Sequence, residues 1–316
     1  MPPDNGSSTP IYRNLIRISR FDRYNSFIGV FGGVWATLVA GTLRIKEDPT
    51  SISARNVFLQ TFLCFLHCYI FSGAGMVWND WIDRDIDKNV ARTKNRPLAS
   101  GSLRVAHALW WMLFQFLLSA AILYWMLGGK YLLYTLVPET FLTILYPFGK
   151  RPAFKRLHLY PQYLLGLAAV STVVTGWAAI YGETSPLEAV FLRSRPLSFF
   201  AFFWIMFFNT AYSYQDIRDD SKMNVNSFYV FVGKYIRICL LLLGGAVLLG
   251  IYWTISPLES VWLWMSWMGI WSASYLEQTV VFDPKKPETG GFVHKRNFAL
   301  GVWTVVACAV EVMLRA

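Results

Sequence analysis

The sequence predicts an all-α, polytopic membrane protein of nine transmembrane helices. Three observations predict it: a composition too apolar for an ordinary soluble enzyme, nine apolar runs of spanning length, and a lopsided placement of Lys and Arg. Of the 316 residues, 55% are hydrophobic and 17% aromatic while only 15% are charged, a balance that favours lipid as the solvent. Runs long enough to cross a hydrocarbon core, roughly 17–25 residues each, fall at about 26–43, 56–78, 105–128, 131–148, 161–181, 197–215, 235–255, 259–277 and 294–314.

In these runs Leu, Phe, Trp and Ala follow one another without the alternation that a barrel strand needs. Each run therefore reads as a helix that satisfies its own backbone polar groups. Connections are mostly short and the composition keeps one regime, which predicts a single integral domain over 12–316 behind a polar, cytosolic tail over 1–11.

Nine spans put the N-terminus and the loops after the second, fourth, sixth and eighth runs on one side, and 22 of the 29 Lys and Arg lie there. The positive-inside rule makes that side cytosolic. The net charge of +10 is then a matter of topology, and nucleic acid is not an expected partner. The opening Met-Pro-Pro-Asp-Asn-Gly-Ser-Ser has neither a basic region leading into an apolar core nor an Arg-rich amphipathic presequence, so no secretory or mitochondrial signal is read and an endoplasmic reticulum or related endomembrane is expected. Cys64, Cys68, Cys239 and Cys308 all sit inside apolar runs, as small buried hydrophobes outside any disulfide framework.

The acids are few and grouped. Asp80, Asp83, Asp85 and Asp87 follow the second run, and Asp216, Asp219 and Asp220 follow the sixth, both on the cytosolic face. On a helix of 3.6 residues per turn, Asp80, Asp83 and Asp87 point within about 60° of one another while Asp85 points away. The same arithmetic puts Asn209, Tyr212, Asp216 and Asp220 in one stripe. Like charges on one face repel unless a cation sits between them. Mg²⁺ takes a few carboxylates together with substrate phosphate oxygens and water, so two such clusters suit a diphosphate held by bridging metals, with Asp80, Asp83, Asp87, Asp216 and Asp220 as ligands. The plainer reading is a solvated cap of acids and bases at each helix end. Arg92, Lys94 and Arg96 after the first cluster, Lys150 and Arg151 in the next loop on that side, and Lys222 after the second are placed to neutralise a departing diphosphate, Arg96 and Lys150 first among them. Such residues also occur in any positive-inside loop.

Four pieces in order resemble the UbiA-type intramembrane prenyltransferases over nearly the whole chain. They are Asn79-Asp80-x-x-Asp83-x-x-x-Asp87, Thr93-Lys-Asn-Arg96-Pro97-Leu98, Tyr146-Pro-Phe-Gly-Lys150-Arg151 followed by Pro161-Gln162, and Tyr212-x-x-x-Asp216-x-x-x-Asp220. The resemblance implies nine helices around a central cavity, an Mg²⁺-bound prenyl diphosphate at the cytosolic mouth with Asn79 among its contacts, and a prenyl tail running into the membrane. Tyr214-Gln215-Asp216-Ile217 and Arg20-Phe21-Asp22 look most like the fungal branch that makes meroterpenoids. The chain departs from the pattern at Val225-Asn226-Ser227, where many members have Val-Lys-Ser, and at Asn209, where many have Asp. Asn226→Lys is therefore expected to lower the Michaelis constant for the diphosphate.

The implied reaction is ionisation of an allylic diphosphate such as farnesyl diphosphate, then capture of the cation by an aromatic, phenolic acceptor in secondary metabolism. Asp83, Asp216 and Tyr212 are the expected catalytic residues, Tyr212 lying one turn before Asp216. The general base is left open, and no obligate protein partner is expected. A membrane terpene cyclase with the same metal site is the first alternative. A transporter or lipid-binding protein is the second, although transporters tend to place their charged sites at mid-span broken helices.

Overall fold

A computed structural model describes residues 10–89, 93–222 and 225–316. Arg92 and residues 1–9 of the expected tail lie outside the described residues, as does the side chain of Asp219. The main helices are α1 (Ile11–Ile18), α2 (Phe31–Glu47), α3 (Ala54–Ile82), α4 (Val105–Leu145), α5 (Pro161–Tyr181), α6 (Leu187–Ser213), α7 (Ile236–Ile255), α8 (Ile270–Val281) and α9 (Gly290–Arg315). Among the described residues there is no strand.

All nine predicted runs fall on helix, and among the described residues seven helical segments, one of them holding two of these runs, are long and apolar enough to cross a membrane. The difference has two physical sources. The runs at 105–128 and 131–148 remain two helices, which meet within α4 at Gly128, where φ 65° and ψ −177° are not helical, a conformation that glycine adopts without a Cβ penalty; both contact His67, through Ser119 and Glu139, and they count as one segment. The run at 259–277 is interrupted by a π turn at Trp264–Gly269 ahead of α8, which shortens its regular portion.

Burial separates hub from rim. Helix α2 is apolar all round and packs against α3, α5 and α9, as a central helix must. It approaches α5 closely because both carry glycine at the crossing: a Cβ on Gly176 would stand 2.3 Å from the Gly33 carbonyl oxygen. Small residues at such crossings let dispersion hold helices together where lipid offers no hydrophobic drive. Helix α4 is the opposite case, leaving Trp110, Leu117, Trp125 and Phe141 exposed. An apolar patch of that extent is unfavourable in water and neutral against lipid tails.

Candidate active site

The site forms where α3, α4 and α6 end on one side of the bundle. Asn79 and Asp80 occupy the last turn of α3, Asp83 caps it, and Arg84–Asp87 adds one more helical turn. Thr93 Oγ1 donates to the Asp87 carbonyl oxygen and the Arg96 amide to that of Thr93, folding the 93–100 loop back over the acids. Asp80, Asp83 and Asp87 are all buried.

The cations between these acids are side chains. Arg20 Nη2 lies 2.7 and 3.0 Å from the two Asp80 oxygens. Arg96 Nη1 bridges Asp80 at 3.1 Å and Asp87 at 2.7 Å. Asp83 faces a different pair, Lys150 Nζ at 3.2 Å and Arg151 Nη2 at 3.0 Å. Four basic groups thus stand against three acidic ones and offset the repulsion among the carboxylates in this structure. Asp85 points away: it is 71% exposed and pairs with Lys88 and Arg84, the Lys88 hydrogen bond first among the contacts that hold its carboxyl below the usual range.

Arg20 entered the sequence reading as part of a resemblance and not as a site residue. It follows α1 with φ 61°, a left-handed backbone that a non-glycine residue adopts at a cost. Burial draws its guanidinium below the ordinary range, and the Asp80 charge opposes that shift. The available signal was Arg20-Phe21-Asp22 before the first span, with Phe21 now stacked on Tyr69 at 4.6 Å.

The second cluster follows a less regular path. Helix α6 ends at Ser213, Tyr214–Asp216 forms a 3₁₀ turn, and Ile217–Lys222 resumes the α-helix. A uniform 100° step therefore does not carry from Tyr212 to Asp216 and Asp220, and the predicted single stripe is interrupted. Asp216 and Asp220 are half-buried, Asp220 accepts a hydrogen bond from the Tyr229 hydroxyl, and Lys222 is exposed.

A cavity of about 260 Å³ opens beside these helix ends. Asn79, Tyr146, Asn209, Tyr212 and His294 line its polar mouth, and Phe71, Met76, Leu142 and Leu165 its apolar wall. The mouth is shaped by Gly290, where a Cβ would stand 2.1 Å from the Ala211 carbonyl oxygen. That close approach sets the first turns of α9 against the end of α6 and stacks His294 on Tyr212, with ring centroids 4.3 Å apart. Of the predicted site residues, Asn79 and Tyr212 face the cavity, and the aspartates stand one or two turns beyond it.

Asn226 is not at the mouth. Its Nδ2 donates to the Gly149 and Leu159 carbonyl oxygens, each at 2.7 Å, and its amide to that of Lys150 at 3.3 Å. The side chain braces the Tyr146–Lys150 turn instead of lining the cavity.

The donor set suits a hard cation. All five expected ligands are carboxylates, and Asn79 Oδ1 is a buried oxygen without a hydrogen-bond partner. Among the described residues, no three His, Cys, Asp or Glu side chains are close enough to hold an ion by themselves; Mg²⁺ in general takes only a few carboxylates together with phosphate oxygens and water. Basic groups and carboxylates at the mouth of an apolar hole can bind an anion with a hydrocarbon tail.

A family model described as the UbiA prenyltransferase family matches residues 33–299. The chain is 50% identical over 303 residues to the polyprenyl transferase cle5 of Aspergillus versicolor, covering 95% of this chain and 94% of that protein. It is 48% identical to the polyprenyl transferase dpchC of Colletotrichum higginsianum, covering 96% of each. Its fold resembles a UbiA homolog from Aeropyrum pernix, with TM-score 0.66 and 20% identity over 97% of this chain and 98% of that one. It also resembles a UbiA homolog from Archaeoglobus fulgidus bound to GPP and Mg²⁺, with TM-score 0.61 and 17% identity over 93% of this chain and 99% of that one.

Proposed function

The chain belongs to the UbiA prenyltransferase family, and from that premise we propose that it transfers the prenyl group of a polyprenyl diphosphate, such as farnesyl diphosphate, to a phenolic acceptor of meroterpenoid or related secondary metabolism. It is an enzyme, a prenyltransferase, and an integral multi-pass membrane protein. The observation that carries the substrate reading is the cavity: charged groups stand just beyond its polar mouth while its walls are apolar, matching a charged head and a hydrocarbon tail.

Asp80, Asp83, Asp87, Asp216 and Asp220, with Asn79 Oδ1, would hold Mg²⁺, and the ion when bound neutralises the leaving diphosphate. Arg96, Lys150 and Arg151 exchange their carboxylate partners for phosphate oxygens, making charge-assisted hydrogen bonds that strengthen as the leaving group gains charge. Lys222 supplies further positive charge from the surface side. Tyr212 and His294 present ring faces to the reacting end of the tail, where each cation–π contact contributes about 0.5–2 kcal/mol. The apolar wall excludes water, so once the allylic C–O bond breaks and diphosphate leaves, the allylic carbon bonds to a carbon of the acceptor ring, whose proton passes to the released diphosphate or to a carboxylate at the mouth. The chain from residue 12 onward forms one catalytic domain, and the mouth faces the cytosol of an endoplasmic reticulum or related membrane.

The test is incubation of membranes holding the protein with Mg²⁺, C10 to C20 prenyl diphosphates and phenolic acids, read by mass spectrometry. Prenylated phenols with release of diphosphate are expected. Cyclised hydrocarbon formed without acceptor would replace the transferase reading by a cyclase.

A further inference from the structure

The cavity is apolar down to a floor that is not. Glu139 lines its inner end and is 2% exposed. Its Oε2 lies 3.0 Å from His67 Nε2, and its Oε1 accepts from Thr175 Oγ1 at 2.7 Å. The buried His67 ring in turn sets Nδ1 2.8 Å from Ser119 Oγ. Deeper along the same helices Cys64, Thr135 and Thr175 are buried, which closes the space below. Ionisable groups inside a membrane bundle are costly and mark function more often than packing. No step of the reaction above uses this pair.

Resting on the prenyltransferase reading, we infer that the Glu139–His67 pair is the floor on which the distal end of the prenyl tail stops, and so determines the longest chain accepted. The depth supports this. The lining runs from Asn79 to Cys68 on α3, from Tyr146 to Glu139 on α4 and from Leu164 to Thr172 on α5. At a rise of 1.5 Å per residue, Asn79 to Cys68 spans about 16 Å. Tyr146 to Glu139 spans about 10 Å by the same rise, and an extended isoprene unit covers about 5 Å at ordinary bond lengths, so two to three units fill the cavity and a fourth meets the pair.

The chemistry of the floor makes the limit sharp. A floor of Leu or Met yields by changing rotamer. A buried, fully hydrogen-bonded acid and imidazole yield only by separating, which leaves both without partners in a low dielectric.

The experiment compares kcat/KM for C10, C15 and C20 diphosphates with one acceptor, and in parallel Kd for the matching non-ionising thiodiphosphates, in the parent, Glu139→Ser and Ser171→Leu. In the parent, C15 is expected to be preferred and C20 to fall steeply. Glu139→Ser lowers the floor and is expected to raise the C20 to C15 ratio about tenfold or more. Ser171→Leu fills the inner end from the α5 wall, leaves the pair in place, and is expected to move preference toward C10. Because Ser171→Leu does not touch the pair, it keeps the test decisive if Glu139→Ser fails to fold. Equal losses on all three substrates with unchanged ratios would mean that the pair only staples α3 to α4, overturning the inference alone. A parent that consumes none of the three would overturn the prenyltransferase substrate reading and the inference with it.

Discussion

Arg20 and Asp80, 60 residues apart in the chain, are joined through one guanidinium nitrogen that reaches both carboxylate oxygens. The contact ties the segment after α1 to the last turn of α3, and it is made from a left-handed backbone at Arg20. Arg20→Ala removes one partner of a buried charge, a change that costs about 3–5 kcal/mol of stability for a fully buried pair; with Arg96 still on Asp80, a loss toward the lower end is expected, read as a lower melting temperature together with a lower kcat/KM. Arg20→Gly separates charge from strain. It should lose activity equally but melt higher than Arg20→Ala by about 1 kcal/mol of stability, because glycine accepts the positive φ. Full activity in Arg20→Gly would sink the assignment.

Asp83 and Asp85 offer an internal control two residues apart. Asp83 is buried between Lys150 and Arg151, so Asp83→Ala unpairs two cations at the mouth and is expected to lower kcat by 100-fold or more, roughly 3 kcal/mol of transition-state stabilisation. Asp85 is exposed and screened by solvent, and Asp85→Ala should leave kcat/KM within roughly twofold. Comparable losses at the two positions in a membrane assay would show the acidic turn to be a surface cap.

Metal dependence follows from the oxygen-only donor set. Chelation should abolish diphosphate release, and added Mg²⁺ should restore it, with neither treatment moving the melting temperature of substrate-free protein by much, since Arg and Lys already neutralise the first cluster. Undiminished turnover in chelator would dispose of the metal reading.

These contacts show which features one sequence makes legible. The helices and the acidic clusters were readable because membrane spans advertise themselves by length, and Asp is rare enough here for its grouping to stand out. Register was readable only while the helix stayed regular. It held well enough to turn Asp85 outward, and was interrupted at Tyr214–Asp216, where a tighter turn replaces the 3.6-residue period. The contacts of Arg20, Asn226 and the Glu139–His67 pair were out of reach for a common reason. Each acts on a partner 60 or more residues away, and each is a single polar residue whose local neighbours carry no periodic signal.

Asn226 gives the prediction in which structure reverses expectation. From the sequence, Asn226→Lys restores a cation beside the diphosphate and lowers the Michaelis constant. The structure places the Asn226 side chain among backbone carbonyls, where Nδ2 donates to Gly149 and Leu159 and holds the turn that carries Lys150 and Arg151. Asn226→Ala leaves two buried acceptors without a donor, each costing about 1–3 kcal/mol at most. The turn is then free to move its two cations off Asp83, so KM for the prenyl diphosphate should rise about tenfold with a smaller change in kcat, as for a contact made alike in ground and transition states. Asn226→Lys keeps a donor but forces a longer, charged side chain into a site that is 1% exposed, and burial of a charge without a carboxylate partner is unfavourable. Its KM should rise as well, with a lower melting temperature. A KM below that of the parent would show that an ammonium at this position reaches the diphosphate, and that the bracing role of Asn226 is secondary.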